Sequence, residues 1–81
     1  MRTRQGDRHE EMIREICTRV RTRRKEQGWS LQHVADAAGV HRNTMWRFEM
    51  GADVSLVAYL KICEALEIDP GQLMKRRNGR L

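Results

Sequence analysis

Gln32-His33-Val34-Ala35-Asp36-Ala37-Ala38-Gly39-Val40-His41-Arg42-Asn43-Thr44-Met45-Trp46-Arg47-Phe48-Glu49-Met50 decides how this 81-residue chain folds. Two helical patterns meet in it. Before the break, Leu31, Val34, Ala35 and Ala38 recur at helical spacing behind Ser30, a residue type that caps helix N-termini. After it, Met45, Phe48 and Glu49 form a second stripe, closed by Gly51. Gly39 can take the left-handed conformation of a tight turn, Ala35 lets the helices approach closely, and Val40 plugs the corner. Two short helices crossing steeply leave Arg42, Asn43, Trp46, Arg47 and Met50 off the inward stripe. Arg and Asn carry the forked groups that match guanine and adenine edges in the major groove of DNA.

The flanking sequence supplies three more helices. Upstream, Asp7 reads as an N-cap with Glu10 and Glu11 in the first turn, and Ile13, Ile16, Cys17 and Val20 follow at helical spacing. Arg24 is the next position on that stripe, and Gly28 is the stop. Downstream, Ser55 opens a helix whose stripe is read as Leu56, Tyr59, Leu60, Cys63 and Leu66. Asp69-Pro70-Gly71-Gln72 gives an N-cap, a proline at the first helical position and a capping-box glutamine, starting a short helix with Leu73 and Met74. The expected fold is all-α, a compact five-helix bundle over residues 8–75. A flexible basic arm, 1–7, precedes it and a basic tail, 76–81, follows.

Charge is unevenly placed. The net +5 comes from 16 Lys+Arg against 11 Asp+Glu. The first 25 residues carry nine basic and four acidic side chains, and Lys75, Arg76, Arg77 and Arg80 cluster near the end of the chain. Basic ends around a near-neutral middle suit a protein that grips phosphates at its edges and reads bases from its centre, although a solvated charged face has the same composition. No apolar run is long enough for a membrane span and no signal-peptide pattern opens the chain. Cys17 and Cys63 lack metal-ligand spacing and read as reduced core residues of a cytoplasmic protein. No nucleophile–base arrangement, phosphate-cradling glycine loop or paired carboxylates appear, so neither an enzyme nor a bound metal or cofactor is expected.

The segment Gly28–Gly51 resembles the helix-turn-helix of the Cro/phage-repressor (Xre-type) regulators. The likeness extends from about Ile16 to Leu73, with Thr18–Lys25 matching the end of that family's first helix and Ser55–Leu66 its fourth. It implies a lambda-repressor-like DNA-binding domain that docks on double-stranded operator DNA as a homodimer, with the third helix in the major groove. Carried over by position, Arg42, Asn43, Trp46 and Arg47 take base-facing places, and Ser30 lies where the second helix meets a phosphate. Three positions depart from the family pattern. Leu31 stands where a phosphate-binding glutamine is frequent, with Gln32 one place later; His41 replaces a serine or threonine; Trp46 replaces a small or polar residue.

Further roles follow with their alternatives open. Arg24 and Glu49 both lie on inward stripes, where a lone charge is expensive and a pair satisfies both, so a structural ion pair behind the reading helix is expected. Gln32, His41, Thr44, Arg19 and Arg23 are candidates for phosphate contact, or for plain solvated residues. Ile68, Leu73 and Met74 are candidates for the homodimer interface, or for closing the protomer's own core. The rival function is a protein-interaction module, such as an antitoxin whose main partner is a toxin.

Overall fold

The computed structural model describes residues 3–52 and 55–75, with side chains from Arg8 onward. Its elements are α1 (Thr3–Glu26), α2 (Leu31–Ala38), α3 (Arg42–Glu49), α4 (Leu56–Ala65) and α5 (Pro70–Leu73), with no strand among the described residues. The all-α, five-helix architecture read from the sequence is the one observed.

Local chemistry starts and stops these helices. The Ser30 and Ser55 hydroxyls accept from the backbone N–H groups of His33 and Ala58, and the Asp69 carboxylate accepts from Gly71. Each thereby satisfies a donor that a helix start leaves without an intrahelical partner. Gly39 ends α2 at φ +72°, donating to Ala35 and Asp36, and Val40 then donates back to Ala35 at 3.0 Å. A Cβ on Gly39 would meet nothing within 4 Å, so backbone conformation rather than space demands glycine there.

α1 differs from expectation at its start. The helix begins at Thr3, so Asp7 lies inside it instead of capping it, and residues 3–7 continue the helix rather than form a loose arm. Arg4, Gln5, Arg8, Glu10 and Glu11 are all good helix formers, and Gly6 costs only about 1 kcal/mol relative to alanine. Propensity spread over two turns outweighs one cap signal. The basic tail 76–81 lies outside the described residues.

The core is small and continuous. Val20 of α1, Val34 and Ala35 of α2, Met45 of α3, and Ile62 and Cys63 of α4 are all 0% exposed, as is Leu66 just beyond α4. Cys17, Phe48, Tyr59 and Leu73 complete it, and Trp29, Val40 and Ile68 pack against its edge. Two stripes need correcting. Ile13, expected inward, is 43% exposed, because α1 at 24 residues runs roughly 36 Å and outreaches a bundle of shorter helices. On α4 the buried face is Ala58, Tyr59, Ile62 and Cys63, while Leu56 and Leu60 point outward. The Tyr59 hydroxyl donates to the Pro70 carbonyl at 2.8 Å, which commits α4 to that rotation and ties α5 down.

Candidate nucleic-acid interface

α2 and α3 are joined by the Gly39 turn, and α3 is built with one dry face and one wet one. Met45, Phe48 and Glu49 are buried. Arg42, Asn43, Trp46 and Arg47 are exposed, Trp46 by 51% and Met50 by 63%, and Thr44 is half-buried. The two residues least expected on a wet face, Trp46 and Met50, lie four apart and so adjoin on the helix surface.

The start of α3 has an unusual cap. His41 is its N-cap, and its Nδ1 accepts from the Asn43 backbone N–H at 3.1 Å. A neutral imidazole with Nδ1 as acceptor carries its proton on Nε2, which leaves a donor on the exposed side of the residue. Ser30 similarly sits at the start of α2. Gln32 is exposed and donates to Asp36 at 2.9 Å along α2, keeping one amide N–H uncommitted by that bond.

Behind α3 is a polar brace. Arg24 Nε donates to Glu49 Oε2 at 2.6 Å and its Nη2 to Oε1 at 2.9 Å, a two-pronged bond, while Nη1 donates to the Trp29 carbonyl at 2.9 Å. Side-chain exposures are 12% for Arg24 and 7% for Glu49. The hydrogen-bonded carboxylate pushes the Arg24 guanidinium further up, so it remains charged. A two-pronged bond fixes direction as well as distance, which apolar packing does not. Sequence reasoning missed a second member, Arg21, whose Nη2 donates to the Glu49 backbone carbonyl at 2.9 Å. Its spacing of three from Arg24 on one helix face was the available signal. Positive charge at the C-terminal end of α3 also suits the helix dipole.

Two of the candidate phosphate contacts make bonds within the bundle. Arg19 Nη1 donates to the carbonyls of Leu73 and Lys75 at 2.8 and 2.7 Å, and its Nη2 to Glu15 at 2.9 Å. Arg23 Nε donates to the Leu66 carbonyl at 3.3 Å. Both therefore serve the ends of α4 and α5, where helix carbonyls need donors, and not α3. The three candidate dimer residues divide between core and surface. Leu73 is 6% exposed and belongs to the protomer's own core, Ile68 is half-buried against it, and only Met74 is exposed. α5 acts as a lid on the core because Arg19 and Tyr59 hold its carbonyls from two sides.

Among the described residues there is no cluster of three or more His, Cys, Asp or Glu able to hold a metal. No described helix is long and apolar enough to cross a membrane. What the assembled site offers is an exposed helix face of two cations, an amide and an indole, held at a fixed angle from behind. No curated protein matches the chain. Residues 15–75, well over half of it, match a family model described as a helix-turn-helix domain.

Proposed function

The chain belongs to the helix-turn-helix domain family, whose members are DNA-binding regulators, and on that premise we propose that it is a sequence-specific transcriptional repressor of the Cro/phage-repressor type. It binds a palindromic operator as a homodimer with α3 in the major groove and half-sites about one helical turn, ~34 Å, apart. The observation that carries this reading is the division of α3. Arg42, Asn43, Trp46 and Arg47 are exposed together, while Met45, Phe48 and Glu49 are committed to the interior.

The roles divide by chemistry. Arg42 and Arg47 offer forked donors to guanine, and Asn43 pairs donor and acceptor with adenine. Trp46 meets the methyl edge of thymine or a sugar. Ser30, Gln32, the Nε2–H of His41 and the Thr44 hydroxyl meet phosphates, which set position and carry no sequence information. A dimer doubles the base contacts of a module this small, and occupancy of a promoter by the dimer blocks transcription.

Selection of bound sequences from a random DNA pool tests the whole reading. It should return an inverted repeat with one-turn spacing. In mobility shifts on that repeat, Arg47→Ala should weaken binding by roughly 10- to 100-fold and relax preference at one position of each half-site. Absence of any binding by the unaltered protein at low salt would overturn the proposal in favour of the protein-partner reading, with a toxin as the type of partner.

A further inference from the structure

α4 is apolar almost all the way round, and the bundle uses only one side of it. Ala58, Tyr59, Ile62 and Cys63 face inward. On the other side Leu56, Val57 and Leu60 are 68%, 61% and 45% exposed. These three fall within five consecutive residues, whereas Ile13 and Met74 stand singly and Trp46 and Met50 belong to the reading face of α3. Single exposed hydrophobics are ordinary; a cluster on one helix face marks a contact surface.

The same face continues into charge. Lys61 and Glu64 are both exposed, lie three residues apart on adjoining turns, and take part in none of the ion pairs among the described residues. Opposite charges following an apolar patch along one stripe form a self-complementary pattern, which is what contact about a two-fold axis requires. We propose that a second copy of this chain docks on the outer face of α4, the two α4 helices antiparallel, with Lys61 against Glu64 of the partner subunit and the reverse.

That register has further consequences. In that register Leu60 lies level with the partner's Ala65, while Leu56 and Val57 reach past the end of the partner's α4 toward its turn into α5. A parallel pairing would lay Lys61 beside Lys61 and Glu64 beside Glu64, which repels. Dimerisation through the outer face of α4 also leaves the reading face free, because α4 meets α3 from its inner side, where Tyr59 stacks on Phe48, while Arg42, Asn43, Trp46 and Arg47 stay exposed. The patch is smaller than the ~800 Å² per partner of a standard stable interface. Dimerisation without DNA is therefore weak and concentration-dependent, and two half-sites on one operator strengthen it.

This inference rests on the reading of the protein as a dimeric DNA-binding regulator, and its test works without DNA so that the two can fail separately. Sedimentation equilibrium of the 81-residue, 9.6 kDa chain over a concentration series, up to its solubility limit, should approach twice the protomer mass. Leu60→Glu and Val57→Glu should each stay at the protomer mass, with far-UV circular dichroism and melting showing that the bundle is intact. Lys61→Glu should weaken dimerisation roughly tenfold by placing like charges opposite each other, and Lys61→Glu/Glu64→Lys should recover most of that loss. A protein that is monomeric throughout, a folded Leu60→Glu that dimerises normally, or a charge-exchanged double variant no better than the single one would each overturn the proposal.

Discussion

Where α3 meets the bundle, one of its three buried side chains is a carboxylate, Glu49; where α4 meets it, the four buried side chains are Ala58, Tyr59, Ile62 and Cys63. Apolar burial is non-directional and roughly proportional to area, so it holds a helix down without fixing its rotation closely. The bond from Arg24 to both Glu49 oxygens, with Arg21 on the carbonyl of the same residue, fixes α3 at one angle. A helix that must present side chains to base edges needs that constraint. α4 has one neutral bond of that kind, from the Tyr59 hydroxyl to the Pro70 carbonyl, and otherwise rests on apolar contact.

The largest expected effect comes from removing the brace. Arg24→Ala leaves the buried Glu49 carboxylate with only the longer, 3.8 Å ion pair to Arg21 and should cost about 3 kcal/mol of folding free energy, with DNA affinity falling alongside it. Arg24→Met combined with Glu49→Met should recover much of the stability in thermal unfolding, since no charge is left unpaired, but not the affinity. That outcome would separate holding α3 down from aiming it. A fully stable Arg24→Ala with a selectively altered base preference would remove the distinction drawn between the two helices.

The α4 side should yield less, and in a different pH range. Tyr59→Phe leaves the Pro70 carbonyl without its donor and should cost about 1 kcal/mol, measured by urea unfolding. Burial pushes the Cys63 thiol above its ordinary 9.0 and the Tyr59 phenol well above its ordinary 10.0. Both groups are neutral when protonated, and the fold favours that form. Their contribution is therefore complete below the ordinary values and is lost as pH rises through the raised, folded-state ones. Stability should be level near neutrality and decline above about pH 9, more shallowly in Tyr59→Phe. The brace of α3 should not share in that decline over the same range, because Arg24 is pushed upward and stays charged. A stability profile that stays flat to strongly alkaline pH would count against this account of α4.

The same contrast explains how far the sequence could be read. α2, its turn and α3 were legible because each has a single apolar stripe and because Ser30 and Gly39 act on their immediate neighbours. The Arg24–Glu49 pair was legible because a charge on an inward stripe demands a partner. α4 was not, since Leu56 and Leu60 extend a helical period as well as Ile62 does, and its rotation is set by tertiary contacts, the Tyr59–Pro70 bond among them. The bonds that Arg19 and Arg23 make within the bundle were not legible for a related reason. Their acceptors, Leu73, Lys75 and Leu66, are more than forty positions away and become acceptors only once the chain has folded. The span of the family match, residues 15–75, nearly coincides with the stretch from Ile16 to Leu73 that carries the resemblance.

The smallest expected effect compares the exits of α2 and α4 directly. Both pass through a left-handed residue, Gly39 at φ +72° and Glu67 at φ 57°. At α4 the bonds that follow are Glu67 N–H to Glu64 and Ile68 N–H to Cys63, the latter 2.8 Å long, so the turn is well formed despite the wrong residue type. A side chain in that conformation costs roughly 1–2 kcal/mol, partly offset by the greater freedom glycine has when unfolded, roughly 0.4–1 kcal/mol. Glu67→Gly should accordingly stabilise the protein by about 0.5–1 kcal/mol, a melting increase of a few degrees in a domain this size. Gly39→Ala should lose a similar amount, with no steric contribution because its Cβ meets nothing. Equal and opposite shifts would place both exits under one backbone rule. A Glu67→Gly variant that melts lower would instead mean that the Glu67 side chain stabilises the exit of α4 by more than its backbone conformation costs.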